Sequence, residues 1–363
     1  MRIVIAGGGS GGHVFPAISI GEEILRRDPG NRVLFVGTKR GIESKVFKNG
    51  SYPIEFISSS GVVGKGFKES IRGVVLAFRG FFESLGLLRR FKPDLVVGVG
   101  GYVSGPVVAA AFLLRIPTAI CEQNAIPGIT NRILSVLAKR IFVSFERNLA
   151  FFPNRKTVVT GNPIRSSLLT IQKDYASPKD VFVILVFGGS QGAKTLNQSV
   201  PKAVGLLGRR NVYLIHQTGE RGVEDVRKTY EWFGIRAEVV SFIEDMNDAY
   251  RRADLVIGRA GAGTIAEITA IGIASILIPY PFSVHNHQLE NARTLEKEGA
   301  AVVIEDKDAV PEKIAEVLDK ILHWDKLREM GLKAKRLGRP DAAGLIVNEI
   351  YTILGVYQDV RKN

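Results

Sequence analysis

The sequence predicts an α/β fold of two Rossmann-like domains of similar size, and three observations carry that prediction. Short apolar runs alternate with helical patterns along the 363 residues, the rhythm of parallel sheets covered on both faces. The rhythm restarts after Pro163. Each half opens alike: "IVIAGGGSGGH" begins the first and "ILVFGGSQGAKT" the second, each a strand, a glycine turn and a helix start.

The elements follow in order. Strand-like runs fall at 2–6, 32–37, 54–57, 94–99, 117–121 and 140–144, then at 181–187, 211–216, 237–241, 254–258 and 275–279. The stretch 160–180, with Gly161, Pro163 and Pro178, reads as a hinge. The expected domains are therefore 1–163 and 164–340, with a helical pattern at about 341–363 packing back on the first. Residues 95–114 carry no charge and are long enough to span a bilayer. Gly98, Gly100, Gly101, Gly105 and Pro106 break that run, so strand, glycine loop and helix explain it better.

Composition narrows the class. Apolar residues make up 45% of the chain, which suits a globular protein. The single cysteine, Cys121, cannot form an intramolecular disulfide and suits a reducing compartment. No charged-then-apolar leader precedes the first strand, so a cytoplasmic protein is expected. The formal net charge of +13 implies an anionic partner: nucleic acid, a phosphorylated substrate or an acidic membrane surface.

Gly7, Gly9 and Gly12 meet the bare dinucleotide spacing. An NAD site also needs an acid ending the second strand, where Gly37 and Thr38 stand instead. The five glycines in residues 7–12 exceed what a turn requires and look like a loop that lets an anion approach backbone N–H groups. "GGSQGAKT" nearly matches a P-loop, but Ala193 replaces the last glycine and Asp254 precedes its strand instead of ending it. Ser190 and the amides after it still suit a diphosphate. In 254–291 two helix N-termini follow neighbouring strands, and their dipoles suit a diphosphate. Ala262, Gly263 and Thr264 head the first of them. Glu267 suits paired ribose hydroxyls, or simply the helix N-terminus; Gln288 and Asn291 suit sugar hydroxyls. His285 and His287 sit two apart, on different helix faces, and read as a solvated helix start instead of a metal pair.

The segments "GGGSGGHVFPA", "GVGGYVSGP", "EQNAIPGITNR", "TGNPIR", "GGSQGAKTLN" and "RAGAGTIAEI…HNHQLENA" resemble, in order and over nearly the whole chain, the motif series of the MurG family of bacterial N-acetylglucosaminyltransferases. The resemblance implies the GT-B fold, two Rossmann-like domains facing across a cleft. It implies transfer of N-acetylglucosamine from UDP-N-acetylglucosamine to the 4-hydroxyl of the muramoyl sugar of lipid I, forming lipid II at the cytoplasmic face of the membrane. Ser10, Gly11 and Gly12 would contact the donor's sugar-diphosphate region. Gly9, Gly100, Gly101 and Tyr102 would serve the acceptor diphosphate. Asn124 would hold the sugar, Arg165 and Ser190 the diphosphate, Ile243 the uracil through its backbone, Glu267 the ribose and Gln288 the sugar hydroxyls. Neither a cofactor nor a protein-bound metal is expected, and "DKD" at 306–308 reads as a cap for a helix starting near Val310.

Inversion at the anomeric carbon needs a base for the acceptor hydroxyl, and His13 and Glu122 are both candidates. Residues 62–92 form a basic amphipathic segment. Ile71, Val74, Val75, Phe78, Phe82 and Leu85 keep helical spacing among Lys65, Lys68, Arg72, Arg79, Arg89, Arg90 and Lys92. Such a segment fits an anionic membrane surface, while periodicity alone favours a core helix. No aromatic-basic module points to nucleic acid, so none is expected as partner. A lipid-surface scaffold with a dead nucleotide site is the remaining rival, and turnover separates it from an enzyme.

Overall fold

The computed structural model describes residues 1–356 except 40–42, 44–46, 48–51, 62–66, 174, 176–178, 209–210 and 284–285, and only the backbone of 67–71. Lys65, Pro178, His285, the side chains of Lys68 and Ile71, and the chain end from 357 lie outside the described residues. The chain divides into two compact units. Unit 1 holds Met1–Arg165 and the chain from Pro340, and unit 2 holds Ser166–Arg339.

Unit 1 runs β1 (Arg2–Gly7), α1 (Gly11–Arg27), β2 (Arg32–Gly37), β3 (Ile54–Phe56), α2 (Phe67–Phe91), β4 (Leu95–Gly100), α3 (Gly101–Leu113), β5 (Thr118–Glu122), α4 (Ile129–Leu137), β6 (Arg140–Val143) and β7 (Thr157–Val159). Its seven strands are parallel, in the order β3-β2-β1-β4-β5-β6-β7. Successive side chains of a strand face opposite ways, and both faces of β1 are covered. Ile3 and Ile5 pack with Val14, Ile20 and Ile24 of α1. Val4 and Ala6 pack with Leu85 and Leu88 of α2 and Val103 and Val107 of α3. Cys121 is buried in β5, and burial pushes its thiol pKa up.

Unit 2 runs β8 (Phe182–Phe187), α5 (Lys194–Leu207), β9 (Val212–Gln217), α6 (Val223–Trp232), β10 (Arg236–Val240), α7 (Met246–Arg252), β11 (Leu255–Gly258), α8 (Ala262–Ile271), β12 (Ala274–Leu277), α9 (His287–Lys297), β13 (Ala301–Val303), α10 (Pro311–Ile321) and α11 (Trp324–Leu337). Its six strands are parallel, in the order β10-β9-β8-β11-β12-β13. Asp254 is buried at the start of β11, where it accepts the Val183 N–H at 2.9 Å and pairs with Lys179 at 2.8 Å. That acid fastens β11 to the strand beside it. The chain then returns to unit 1 as α12 (Ala342–Leu354). Ile346, Val347 and Ile350 of α12 are buried with Ile3 and Ile5, and Arg27 donates to Asn348 Oδ1 (2.6 Å) and the Gly344 carbonyl (2.8 Å).

The three-residue edge strands β7 and β13 are absent from the sequence expectation, whereas β3, equally short, falls in the expected run 54–57. The uncharged run 95–114 resolves into β4 and α3, which meet at Gly100 (φ +106°) and Gly101 (φ +72°). Among the described residues no helix is long and apolar enough to cross a membrane. The core reading of α2 is corrected for one stripe. Val74, Val75, Phe78 and Phe82 are 57–66% exposed, whereas Leu85, Leu87 and Leu88 are buried. Arg72, Arg79, Arg89 and Arg90 stand exposed on the same helix. The "DKD" reading is corrected too. α10 begins at Pro311 without a side-chain cap, and Asp306 instead accepts from Arg259 Nη1 at 2.5 Å.

Unit 2 buries a polar network around a histidine. His216 on β9 is fully buried, with Nδ1 2.9 Å from the Tyr230 hydroxyl and Nε2 3.3 Å from Asn197 Oδ1. Burial lowers its pKa to about 3. The unfolded chain takes up this proton below its ordinary value while the folded chain refuses it. The stability contributed by neutral His216 is therefore present above pH 6.5 and is lost as pH falls towards 3. We expect acid titration of unit 2 stability to show a slope of up to about 1.4 kcal/mol per pH unit in that window. His216→Gln should flatten it, as read from denaturant midpoints across pH.

Candidate active site

In unit 1 the strand order reverses between β1 and β4, so the loops after these strands lie together at the carboxyl edge of the sheet. Loop 7–12 leads into α1, and Gly100–Gly101 lead into α3. The loops touch backbone to backbone: a Cβ on Gly101 would fall 2.2 Å from the Gly8 carbonyl oxygen. The Tyr102 ring lies over Gly9 (φ +92°), where a Cβ would fall 2.8 Å from it. His13 is half-buried in the first turn of α1 and wedged against the second loop. A Cβ on Gly100 would fall 2.6 Å from its Nδ1. Arg165 stacks over Phe15 of α1 at 4.9 Å. Ser10 is the N-cap residue of α1 and makes no side-chain cap bond, so Gly11 and Gly12 head a helix whose first amides have no intrahelical acceptor.

Two of the residues expected at the acceptor diphosphate have their amides engaged within the loops. Gly9 N–H donates to Glu43 Oε2 at 2.9 Å. Gly100 N–H donates to Ser104 Oγ at 2.8 Å, and that hydroxyl also reaches the Ala6 carbonyl at 2.9 Å. Both amides close the loops internally. Gly101 and Tyr102 remain at the rim.

Glu122 ends β5 and is 3% exposed. Its Oε1 accepts the Asn124 N–H (3.0 Å) and Nδ2 (3.4 Å); its Oε2 accepts Asn131 Nδ2 (2.8 Å) and the Gly128 N–H (3.1 Å). Burial pushes its pKa up, and these N–H donors pull against that. The carboxylate thus folds residues 124–131 around itself. Turning it outward would strand two backbone amides, each at a cost of about 1–3 kcal/mol.

Unit 2 repeats the plan where its order reverses between β8 and β11. Ser190 is exposed in the loop after β8, between Gly189 (φ +89°) and Gly192 (φ +72°). Gln217, at the end of β9, bridges this loop to the next strand's exit. Its Nε2 donates to the Gly189 carbonyl (2.8 Å), and its Oε1 accepts the Ile243 N–H (2.9 Å). After β11, Ala262, Gly263 and Thr264 form the first turn of α8, and a Cβ on Gly263 would meet nothing within 4 Å. Glu267 stands half-buried on α8, and the Tyr250 hydroxyl donates to its Oε2 at 2.8 Å. Gln288 Oε1 accepts the Tyr280 N–H at 2.9 Å. Asn291 is the other residue expected at the sugar hydroxyls. It is fully buried and donates to the Ala260 carbonyl at 3.2 Å, so it ties α9 to the loop before α8.

Sequence reasoning missed Glu43, Gln217 and Tyr250, the side chains that hold the others in place. Gln217 left one trace, a polar side chain closing the apolar run "VYLIH". Glu43 and Tyr250 left none, since each meets its partner only in three dimensions.

Comparison with known proteins follows the same division. Residues 3–143 match the glycosyltransferase family 28 N-terminal domain and residues 183–346 match its C-terminal domain. A Myxococcus xanthus protein named UDP-N-acetylglucosamine–N-acetylmuramyl-(pentapeptide) pyrophosphoryl-undecaprenol N-acetylglucosamine transferase is 47% identical over 346 residues, covering 94% of this chain and 90% of its own length. A protein of the same name from Syntrophus aciditrophicus is 46% identical over 357 residues, covering 98% and 99%. The crystal structure of Acinetobacter baumannii MurG superposes with a TM-score of 0.78 at 33% identity, covering 97% of this chain and 99% of that one. A Neisseria meningitidis UDP-GlcNAc 2-epimerase shares the fold, with a TM-score of 0.69 at 14% identity, over 97% of this chain and 100% of its own.

Two glycines should respond oppositely to alanine. Gly101→Ala must strain a left-handed backbone and push against the Gly8 carbonyl, so unit 1 should lose about 2 kcal/mol or more. Gly263→Ala enters open space at a helical position and should leave unit 2 as stable as before or up to about 1 kcal/mol better. Denaturant unfolding of the two variants checks both.

Proposed function

The chain belongs to glycosyltransferase family 28, within its MurG group of N-acetylglucosaminyltransferases, and we propose that it moves N-acetylglucosamine from UDP-N-acetylglucosamine to the 4-hydroxyl of the muramoyl sugar of lipid I, giving lipid II. The observation that carries the mechanism is His13, wedged against the second glycine loop in the first turn of α1.

Unit 2 binds the nucleotide. The Glu267 carboxylate, steadied by Tyr250, accepts the ribose hydroxyls. The Ile243 carbonyl takes the uracil N3–H, since its N–H is held by Gln217. Ser190 and the first turn of α8 (Ala262, Gly263 and Thr264) take the diphosphate, where Gly263 leaves room for it. Gln288 Nε2 and Asn124 Oδ1 meet sugar hydroxyls. Arg165 adds positive charge at the diphosphate, and Ser10, Gly11 and Gly12 face the sugar-diphosphate end. Gly101 and Tyr102 border the acceptor.

The donor is α-linked and the product β-linked, so one in-line displacement inverts the anomeric carbon. His13 takes the proton of the acceptor 4-hydroxyl as its oxygen bonds to C1. The C1–O bond to UDP breaks, and the departing diphosphate keeps the electron pair, stabilised by helix N-termini and Arg165. Glu122 is the less suitable base because its oxygens already hold loop donors.

The exposed stripe of α2 suits the acceptor's lipid. Four apolar side chains flanked by arginines suit an anionic membrane surface, which supports a peripheral position on the cytoplasmic face. A nucleic-acid partner has no support in these features.

Transfer of labelled N-acetylglucosamine to a short-chain lipid I analogue tests the reaction; no transfer by the folded protein rejects it. Within that assay the two units should separate. His13→Ala should lower kcat by about 10²–10⁴-fold with little change in donor KM. Glu267→Ala should mainly raise donor KM, by about 1.5–3 kcal/mol of lost hydrogen bonding. Near-native turnover in His13→Ala with an unchanged acidic limb would assign the base elsewhere.

For the membrane contact, the protein should sediment with vesicles containing anionic lipid and detach as salt rises, because surface charge is screened within about 8 Å at physiological ionic strength. Neutralising Arg72, Arg79, Arg89 and Arg90 should weaken sedimentation without unfolding. Equal binding to neutral vesicles would count against the electrostatic contribution.

A further inference from the structure

We infer that Glu43 is a positioning residue for the transfer reaction, a buried carboxylate that sets the glycine loop and, through it, His13. The inference rests on the reading of His13 as the base.

Glu43 is completely buried. Its two oxygens join two strand exits. Oε2 accepts the Gly9 N–H at 2.9 Å, and Oε1 accepts the Thr38 N–H at 2.8 Å and the Thr38 hydroxyl at 2.9 Å. Thr38 directly follows β2, and Gly9 lies in the loop after β1, the strand beside it. The slot exists only because its walls lack side chains. A Cβ on Gly8 would fall 2.4 Å from Glu43 Oε1, and one on Gly37 would fall 2.7 Å from its Cγ.

A buried charge is costly unless it is fully hydrogen-bonded, and well-packed apolar side chains often hold a fold as well. What apolar packing cannot do is fix the direction of an amide. Glu43 aims the Gly9 N–H inward, one residue before the N-cap of α1 and four before His13. Its charge also complements the amino end of that helix. The loop is pressed from the other side by the Tyr102 ring on Gly9 and by Gly101 on the Gly8 carbonyl. Glu43 supplies the opposing restraint. Without it, His13 loses its register with the acceptor hydroxyl.

Glu43→Gln tests this with little change of shape. One oxygen becomes an NH2, so a loop or strand N–H must then face a donor. In the lipid I analogue assay we expect kcat to fall about 100-fold, the effect of misplacing a reacting group by about 1 Å, with donor KM within about twofold of wild type. Hydrogen exchange of the amides in a peptide covering residues 8–13 should accelerate at least tenfold. Thr38→Val removes one of the three bonds and should give the same kcat-selective loss at about 3–10-fold. It carries the test alone if Glu43→Gln does not fold. Unchanged kcat, or a rise in donor KM as large as the loss in kcat, overturns the inference. The exchange readout needs no substrate. If the wild-type protein failed to transfer sugar, the proposed function would fall, and accelerated or unchanged exchange would still decide for or against Glu43 as the restraint on the loop.

Discussion

The carboxyl edge of unit 1 depends on backbone approaching backbone where side chains would not fit. Gly101 lies against the Gly8 carbonyl, Gly100 against the His13 ring, and Gly8 and Gly37 against Glu43. Parallel strand order brings the loops after β1 and β4 side by side, but adjacency alone does not make a site. The missing Cβ atoms let the loops merge into one surface, and left-handed backbone at Gly9, Gly100 and Gly101 turns the chain sharply enough to enter α1 and α3 at once. A helix start with open amides and a histidine in its first turn is the product of that constraint.

Unit 2 uses the same close approach, Gly192 against the Thr218 carbonyl and Gly219 against the Gln191 carbonyl, and adds side-chain amides to it. Gln217 ties Gly189 to Ile243, and Asn291 ties Ala260 to α9. An amide can donate and accept at once, so one residue satisfies two backbone groups that would otherwise be buried without partners. The open space over Gly263 is left by this scaffold. Tyr250 plays the comparable part for Glu267, since a carboxylate held at 2.8 Å by a buried phenol keeps a fixed heading.

The alternation of strands and helices, both glycine turns and the two helix starts around 262 and 287 were legible because each is written in consecutive residues. The direction of individual amides was not. Gly9 and Gly100 look alike as motif letters, yet both N–H groups point inward, to Glu43 and Ser104, partners 34 and 4 residues away. Asn291 follows Gln288 by one helical turn, but only the fold shows that it faces the core. The stripe on α2 left two readings open for a related reason. Helical spacing of Val74, Val75, Phe78 and Phe82 reports that they share a face, and the period is the same whether protein, lipid or water covers it.

The position of Cys121 has a practical consequence. The chain's sole thiol lies inside β5, one residue before the carboxylate that folds residues 124–131, and burial keeps it from ionising. A thiol reagent added to the native protein has no thiolate to attack until β5 is uncovered. Its labelling rate is therefore a clock for the opening of the sheet beneath the glycine loops. The natural chain is also an unreactive background, on which a cysteine introduced anywhere on the surface becomes the one address a probe will find.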